Sequence, residues 1–109
     1  MQIDAVPFTT TDWNTIAEVQ YPGTSGAAFW RSVELGNVRV RLVRYSPGYL
    51  ADHWCTRGHV LLVLEGELIT ELADGSRHTL RPGMSYQVSS EVAPHRSRST
   101  AGATLFIVD

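Results

Sequence analysis

The chain has 109 residues, of which 43% are apolar and 18% are charged, and its net charge is −2. This composition is typical of a globular chain rather than a disordered one, and the length fits one domain. The slightly negative charge provides no basic surface for nucleic acid. All nine basic residues are arginines, which excludes any mechanism that forms a Schiff base on a lysine.

Cys55 is the only cysteine, so no disulfide can form within the chain. A single free cysteine is typical of a reducing compartment. The first residues, MQIDAVPF, lack the basic and apolar regions of a signal peptide, and no apolar run approaches the roughly 20 residues that span a bilayer. We therefore expect a cytoplasmic protein that binds neither nucleic acid nor membrane.

Early in the chain, residues 11–17 have the one helical pattern, with Thr11 or Asp12 as its cap. The clearest strand follows at residues 37–46, where apolar residues alternate with Arg39 and Arg41. This alternation predicts that the apolar residues point inward and the two arginines outward. The alternative is that one arginine points inward and holds an anionic substrate.

The second half of the chain predicts more strands. Residues 60–64 are continuously apolar, which predicts a strand that is buried on both faces. Asp74-Gly75 separates residues 68–72 from residues 77–80 and predicts a hairpin turn. The last strand is predicted at residues 103–108, which are also apolar.

Short apolar runs separated by turns such as Pro-Gly, Gly-Asn and Asp-Gly are typical of an all-β protein. About eight strands in a chain of this length predict a closed or nearly closed antiparallel barrel, which is wide enough for one small ligand. We expect a single domain over residues 1–109. Residues 1–36 supply N-terminal strands or an arm, and residues 37–108 form the barrel core.

The densest group of metal-ligand side chains is His53, Cys55 and His59, and His95 is a fourth candidate far along the chain. His53 and Cys55 share one face of an extended backbone because they are two residues apart. Imidazole and thiolate together suit borderline-soft divalent ions. The alternatives are a buried apolar role for Cys55, a nucleophilic pair with a histidine, and a packed core histidine at position 59.

The segment containing these residues resembles the first motif of the cupin superfamily, which has a glycine, a His-x-His pair, a glutamate and a second glycine. Gly48, His53-Trp54-Cys55, His59 and Gly66 occupy those places in order. Cys55 therefore replaces the second histidine of the motif, and His59 replaces its glutamate. The resemblance implies an all-β cupin double-stranded β-helix, also called a jelly-roll barrel.

The second cupin motif is matched less fully. Gly83 and His95 stand at its first glycine and its histidine, whereas the proline and second glycine between them are missing. Ser99 replaces the asparagine that ends the motif. More narrowly, Asp52-His53-Trp54-Cys55 makes the chain similar to a group of small bacterial cupins labelled by a "DHCW" motif. To our knowledge that group has no established activity.

The resemblance implies one divalent transition-metal ion, either zinc, nickel or iron, bound by His53, Cys55, His59 and His95. Asp52 is a candidate to orient a ligand histidine, or alternatively to cap a turn. We expect His78 to be solvated in its hairpin, and Trp54 to serve packing or an interface.

Three functions remain open at this point. The first is a metal-dependent enzyme, of oxygenase, isomerase or lyase type, that acts on a small organic molecule in the barrel. The second is a non-catalytic module that binds or senses a metal or a metabolite, and the third is a scaffold without metal. The sequence assigns no catalytic residue. By analogy with other small cupins we expect a homodimer, with Phe29 and Trp30 in its apolar surface.

Overall fold

The computed structural model describes all residues, 1–109, and the chain is almost entirely strand and loop. A single turn of 3-10 helix at Trp13–Thr15 precedes ten strands. The strands are β1 (Val19–Pro22), β2 (Ala27–Leu35), β3 (Val38–Tyr45), β4 (Tyr49–Leu50), β5 (His59–Gly66), β6 (Leu68–Leu72), β7 (Arg77–Leu80), β8 (Ser85–Val88), β9 (His95–Ser99) and β10 (Ala103–Val108).

The ten strands form two antiparallel sheets. The six-stranded sheet has the order β1-β2-β3-β10-β5-β8, and the four-stranded sheet has the order β4-β9-β6-β7. No named strand of one sheet pairs with a named strand of the other. The all-β jelly-roll prediction is confirmed, but the barrel is not closed by hydrogen bonds.

The core lies between the two sheets, because alternate side chains of each strand point toward the opposite sheet. Tyr45 of β3 stacks on Tyr49 of β4 with ring centroids 4.2 Å apart, so an aromatic pair connects the two sheets. The buried cluster comprises Ala28, Val43, Tyr45, Tyr49, Ala51, Leu61, Val63, Leu68, Leu80, Ala103, Leu105 and Ile107.

The predicted orientation of β3 is wrong. Arg41, Val43 and Tyr45 are buried, so the face of the strand that contains Arg39 and Arg41 is the inner one. Arg41 is tolerated inside because its guanidinium contacts the carboxylate of Asp109 at 3.0 Å and lies 4.3 Å from the ring centre of Trp30. A buried charge needs such partners to offset its desolvation.

The N-terminal segment explains why apolar residues occupy the outer face of β3. The ring of Trp13 packs edge-on against Phe106 of β10, with ring centroids 6.3 Å apart. Phe106 pairs with Leu42 of β3, and the Trp13 carbonyl accepts a hydrogen bond from Arg31. The helical turn over Trp13–Thr15, capped by Asp12, is thus shorter than the predicted 11–17 segment and lies against this outer face.

Strand β5 also differs from its prediction. Leu61 and Val63 are buried, whereas Val60 and Leu64 are 46% and 43% exposed, so only one face of the strand is covered. The hairpin of β6 and β7 and the final strand β10 have the predicted bounds, and these predictions are confirmed. The structure contains no helix that is long and apolar enough to span a membrane.

Candidate metal centre

A cavity of about 260 Å³ opens between the two sheets. Its walls include all four residues predicted as ligands, namely Cys55, His59, His95 and the largely exposed His53. Residues from β2, β3, β5, β8, β9 and β10 contribute to the walls, so the cavity is formed by both sheets.

Cys55 is held directly opposite His95. The Cys55 amide donates to the His95 carbonyl at 2.7 Å, and the His95 amide donates to the Cys55 carbonyl at 3.0 Å. Two residues that exchange both backbone hydrogen bonds form an antiparallel bridge, and their side chains leave the same face. The loop between β4 and β5 is thereby fixed to β9 at the residue that bears the thiol.

His59 reaches the same cavity from the other sheet. It begins β5, where it pairs with Val88 of β8, and Tyr86 lies two residues away on β8. The Tyr86 hydroxyl and Nε2 of His59 are 2.8 Å apart. The rings of His59 and His95 meet edge to face with centroids 4.8 Å apart. The two imidazoles therefore meet between the sheets.

One donor atom from each of Cys55, His59 and His95 lies within 4.8 Å of the other two. Nδ1 of His95 is 2.8 Å from the Ala93 carbonyl, which can only accept, so this nitrogen bears the proton and Nε2 bears a lone pair. Nε2 of His95 and Nδ1 of His59 are buried without a hydrogen-bond partner. Unpartnered buried nitrogens are rare and require an explanation.

The electrostatics favour the ligand forms of two of these side chains. Burial, followed by the nearby His95, lowers the pKa of His59 to about 4, so its imidazole is neutral at neutral pH. The neighbouring His95 imidazole lowers the pKa of the Cys55 thiol, which favours the thiolate. The Cys55 side chain in turn raises the pKa of His95. A metal ion bound here would take the place of the proton that the sulfur or this imidazole otherwise holds.

These residues fit a transition-metal ion. A thiolate and two imidazoles are ligands that zinc, nickel and iron accept, and metal-bound histidines typically donate their other ring nitrogen to a carbonyl or similar group. The Ala93 carbonyl serves His95 in this way, and the Tyr86 hydroxyl is placed to do so for His59. Zinc–ligand bonds are about 2.0–2.3 Å long, so the donor atoms around one zinc ion lie closer together than they do here. A small inward shift of the side chains would bring them to that spacing.

The structure does not bring His53 into this group. Its side chain is 72% exposed, and Nδ1 lies 2.7 Å from the carboxylate of Asp52. That pairing is the orienting role considered for Asp52, and it leaves Nε2 of His53 free. His53 as a fourth ligand stays a prediction, as does the metal role of the other three.

The remaining predicted residues lie outside the group. His78 is exposed on β7, as expected. Trp54 is 42% exposed and is covered on one side by the guanidinium of Arg96, 4.7 Å from the ring centre. Phe29 and Trp30, predicted for a dimer surface, are only partly exposed, since Arg44 lies over Phe29 and Tyr21 packs on Trp30.

Sequence reasoning assigned no role to Asp109 and no definite place to Tyr86. Tyr86 lines the cavity and packs against the core, and its hydroxyl reaches His59. Asp109 receives three arginines in the cavity wall. The sequence signal for Asp109 was the excess of arginines on β3 in a protein that has few charges. The single buried carboxylate of Asp109 explains that excess.

Comparison of the sequence with protein families and with curated proteins finds no match. Solved structures do match. Ectoine synthase from P. lautus is 16% identical with a TM-score of 0.75, over 93% of this chain and 76% of that chain. An RmlC-like cupin from Shewanella frigidimarina is 17% identical with a TM-score of 0.72, over 94% and 89%.

A third solved structure is a sugar phosphate isomerase from the cupin superfamily of Silicibacter pomeroyi. It is 21% identical with a TM-score of 0.68, over 92% of this chain and 74% of that chain. All three likenesses extend over nearly the whole length of the chain described here. At these identities they concern the arrangement of the strands and not the reaction.

Proposed function

The chain is a small cupin by its fold, and we propose that Cys55, His59 and His95 hold one divalent transition-metal ion that acts on a small organic molecule in the cavity. The observation that supports this most is the meeting of three donor atoms, one from a loop and one from each sheet, within 4.8 Å. Two of the donors are histidines with a buried nitrogen that lacks a partner.

A divalent ion in this place would polarise a carbonyl or a bound water molecule as a Lewis acid. The residues of the chain have separate tasks. Cys55 and the two imidazoles supply the donor atoms, while the Ala93 carbonyl and the Tyr86 hydroxyl hold the rings in register. The cavity walls admit one small molecule, since about 260 Å³ is below the roughly 300–1,000 Å³ of pockets for drug-sized ligands.

Three protein ligands favour catalysis over a purely structural role. A catalytic zinc typically has three protein ligands and one open position, whereas a structural zinc has four. Isomerase or lyase chemistry is the reaction class we propose for a zinc or nickel ion, because a Lewis acid that polarises a carbonyl supports both. If His53 completes the set, the centre has four ligands, and the protein is better described as a module that binds or senses metal.

The test is the metal content of protein purified without a histidine tag, measured by inductively coupled plasma mass spectrometry. We expect about one ion per chain in the wild type, and loss of the ion in His59→Ala and His95→Ala. His78→Ala is the matched control, because this histidine is exposed on β7 and should leave the metal content unchanged.

Two results would contradict the proposal. One is wild-type protein that stays without metal after incubation with zinc, nickel and iron salts. The other is equal metal content in His59→Ala and in wild type, with circular dichroism showing that both are folded. Either result would favour the scaffold without metal.

The cytoplasmic location and the homodimer remain part of this proposal. The exposed parts of Phe29 and Trp30 stay the predicted dimer surface, although Arg44 and Tyr21 cover part of each ring within one chain. Sedimentation equilibrium of the purified protein would give the oligomeric state directly.

A further inference from the structure

Three arginines form ion pairs with one carboxylate in the cavity wall. The side chain of Asp109 is 1% exposed, and its two oxygens accept hydrogen bonds from Nε and Nη2 of Arg39 at 3.0 and 2.8 Å. Nη2 of Arg41 donates to the same carboxylate at 3.0 Å, and Nε of Arg57 lies 3.3 Å from it. Three positive charges therefore share one negative side chain.

No other wall residue has a carboxylate side chain to balance this cluster. Arg96 also lines the cavity, but its guanidinium is bound to Glu71 at 2.7 Å, outside the Asp109 cluster. The side chains of the Asp109 cluster thus have an excess of about two positive charges at neutral pH, since arginine stays protonated. A divalent ion beside one thiolate would add to that excess.

Two of the three arginines retain free donors. In Arg41 only Nη2 is bonded to Asp109, Nε is buried without a partner, and Nη1 makes no hydrogen bond. Arg57 contacts Asp109 through one nitrogen and is 55% exposed, so most of its N–H groups are available. A buried guanidinium donor without a partner is costly unless a ligand occupies it.

Trp30 covers one face of the Arg41 guanidinium. Its ring lies 4.3 Å from the guanidinium carbon of Arg41 and 5.2 Å from that of Arg39. The N–H groups of a guanidinium lie in its plane, at the edge. The edge N–H groups that Asp109 does not use are therefore the part of Arg41 that an acceptor in the cavity would meet.

We propose that Arg41 and Arg57 bind a carboxylate group of the small molecule on which the metal acts. A planar pair of oxygens matches the edge of a guanidinium, and Arg57 is exposed enough to move onto it. The inference names the substrate class for the proposed function and rests on it. The alternative is that the three arginines serve only to bury Asp109.

Burial of Arg41 supports the binding role. Desolvation lowers the pKa of Arg41 even though the nearby Asp109 opposes this shift. The charge of Asp109 thus offsets only part of the desolvation of Arg41, and an anion in the cavity would offset more of it.

The experiment titrates ¹⁵N-labelled protein with propionate, propionamide and inorganic phosphate, and follows amide chemical shifts by NMR. Propionamide has nearly the same shape as propionate but no charge, and phosphate is a tetrahedral anion. Each titration is done on protein as isolated and on protein treated with a chelator, because a carboxylate can also bind a metal directly. Arg57→Gln is compared with Arg44→Gln, an exposed arginine of β3 that does not line the cavity.

We expect propionate to bind in both metal states, propionamide to bind at least about tenfold more weakly, and Arg57→Gln to weaken propionate about tenfold. Arg44→Gln should bind like the wild type. Equal binding of propionate and propionamide would overturn the inference, and so would an unchanged affinity in Arg57→Gln. Stronger binding of phosphate than of propionate would also overturn it, in favour of a phosphate site.

The outcomes separate this inference from the proposed function. Propionate binding that depends on Arg57 in a protein that never takes up metal would contradict the proposed function alone. One ion per chain without propionate binding would contradict the carboxylate site alone. The metal content of Arg57→Gln is measured in parallel, since this residue lies between Cys55 and His59.

Discussion

Cys55 and His95 face each other through two backbone hydrogen bonds, of 2.7 and 3.0 Å, although one lies in a loop and the other begins β9. This bridge places a thiol next to an imidazole without support from a continuous strand pair. The backbone thus sets the proximity of the thiol and the imidazole. Substitution of either side chain should leave the two backbone hydrogen bonds in place.

The first prediction concerns the sulfur. If Cys55 ligates the ion, the cobalt-substituted protein should show a sulfur-to-cobalt charge-transfer band in the near ultraviolet. Cys55→Ser should lose this band, and the two histidines should still bind cobalt more weakly. A band that persists in Cys55→Ser would contradict ligation by the cysteine. If the wild type shows no charge-transfer band and Cys55→Ser binds cobalt with the same affinity as the wild type, the thiol only packs.

The second prediction concerns Tyr86, whose hydroxyl is 2.8 Å from Nε2 of His59. Tyr86→Phe removes this contact and keeps the ring. We expect metal affinity to fall about 10–100-fold, the usual range when a group that orients a metal-bound histidine is removed. Competition with a chelating dye measures the affinity. Tyr21→Phe, an exposed tyrosine of β1, is the control and should bind metal like the wild type.

The third prediction concerns His53 at the cavity edge. Its ring is exposed and is bound to Asp52, so we expect His53→Ala to retain one ion per chain, with affinity lowered by no more than about 100-fold. The same dye competition applies. Complete loss of the ion, as in His59→Ala, would show that four protein ligands are required.

The fourth prediction concerns the buried carboxylate of Asp109. Asp109→Asn leaves Arg39 and Arg41 without their negative partner inside the fold. We expect the free energy of unfolding to fall by about 3–5 kcal/mol, the usual cost of breaking a buried ion pair from one side. Urea unfolding followed by fluorescence measures it. A loss below about 1 kcal/mol, typical of surface pairs, would show that the cluster contributes little to stability.

Asp109 also predicts how stability depends on acid. Burial alone would raise its pKa, but the hydrogen bond from Arg39 and the charges of Arg41 and Arg57 outweigh burial and lower it. A carboxyl whose folded pKa lies below its unfolded value of about 3.9 stabilises the fold above that pH. This stabilisation is lost as the pH falls through the lower, folded pKa. Urea unfolding between about pH 6 and pH 2 should show a steeper loss in wild type than in Asp109→Asn.

The fifth prediction compares two glycines. Gly66 has φ +76°, and a Cβ there would lie only 2.1 Å from the Gly102 carbonyl oxygen. Gly75 has φ +92°, with open space around a Cβ. Gly75→Ala should cost about 1–2 kcal/mol for the left-handed backbone alone, and Gly66→Ala should cost clearly more. An equal loss of unfolding free energy in the two variants, measured by urea unfolding, would contradict a steric requirement for Gly66 at the turn from β5 to β6.

The strands that sequence predicts best are those defined by local turn chemistry. Asp74-Gly75 fixes the β6–β7 hairpin, because the glycine of the turn has a positive φ and the two flanking strands pair directly with each other. The group of Cys55, His59 and His95 was predicted from the resemblance to cupins, and the structure brings these three together. The exposed position of His53 could not be predicted, since it depends on the path of a loop.

The orientation of β3 could not be predicted from its alternation. A two-residue period identifies two faces but not which of them is covered. The inner face holds Arg41 because Asp109 and Trp30, both distant in sequence, provide its partners. The outer face holds apolar residues because the N-terminal segment around Trp13 covers it. Both causes are tertiary contacts that the local sequence does not show.

The donors of the candidate centre come from two sheets that share no ladder of hydrogen bonds between their named strands. His59 belongs to one sheet and His95 to the other. An ion between them would join the two layers as a cross-link, and would resist their separation as well as serve chemistry. Amide hydrogen exchange in β5 and β9 should therefore slow together when metal is added, even though the two strands are not neighbours.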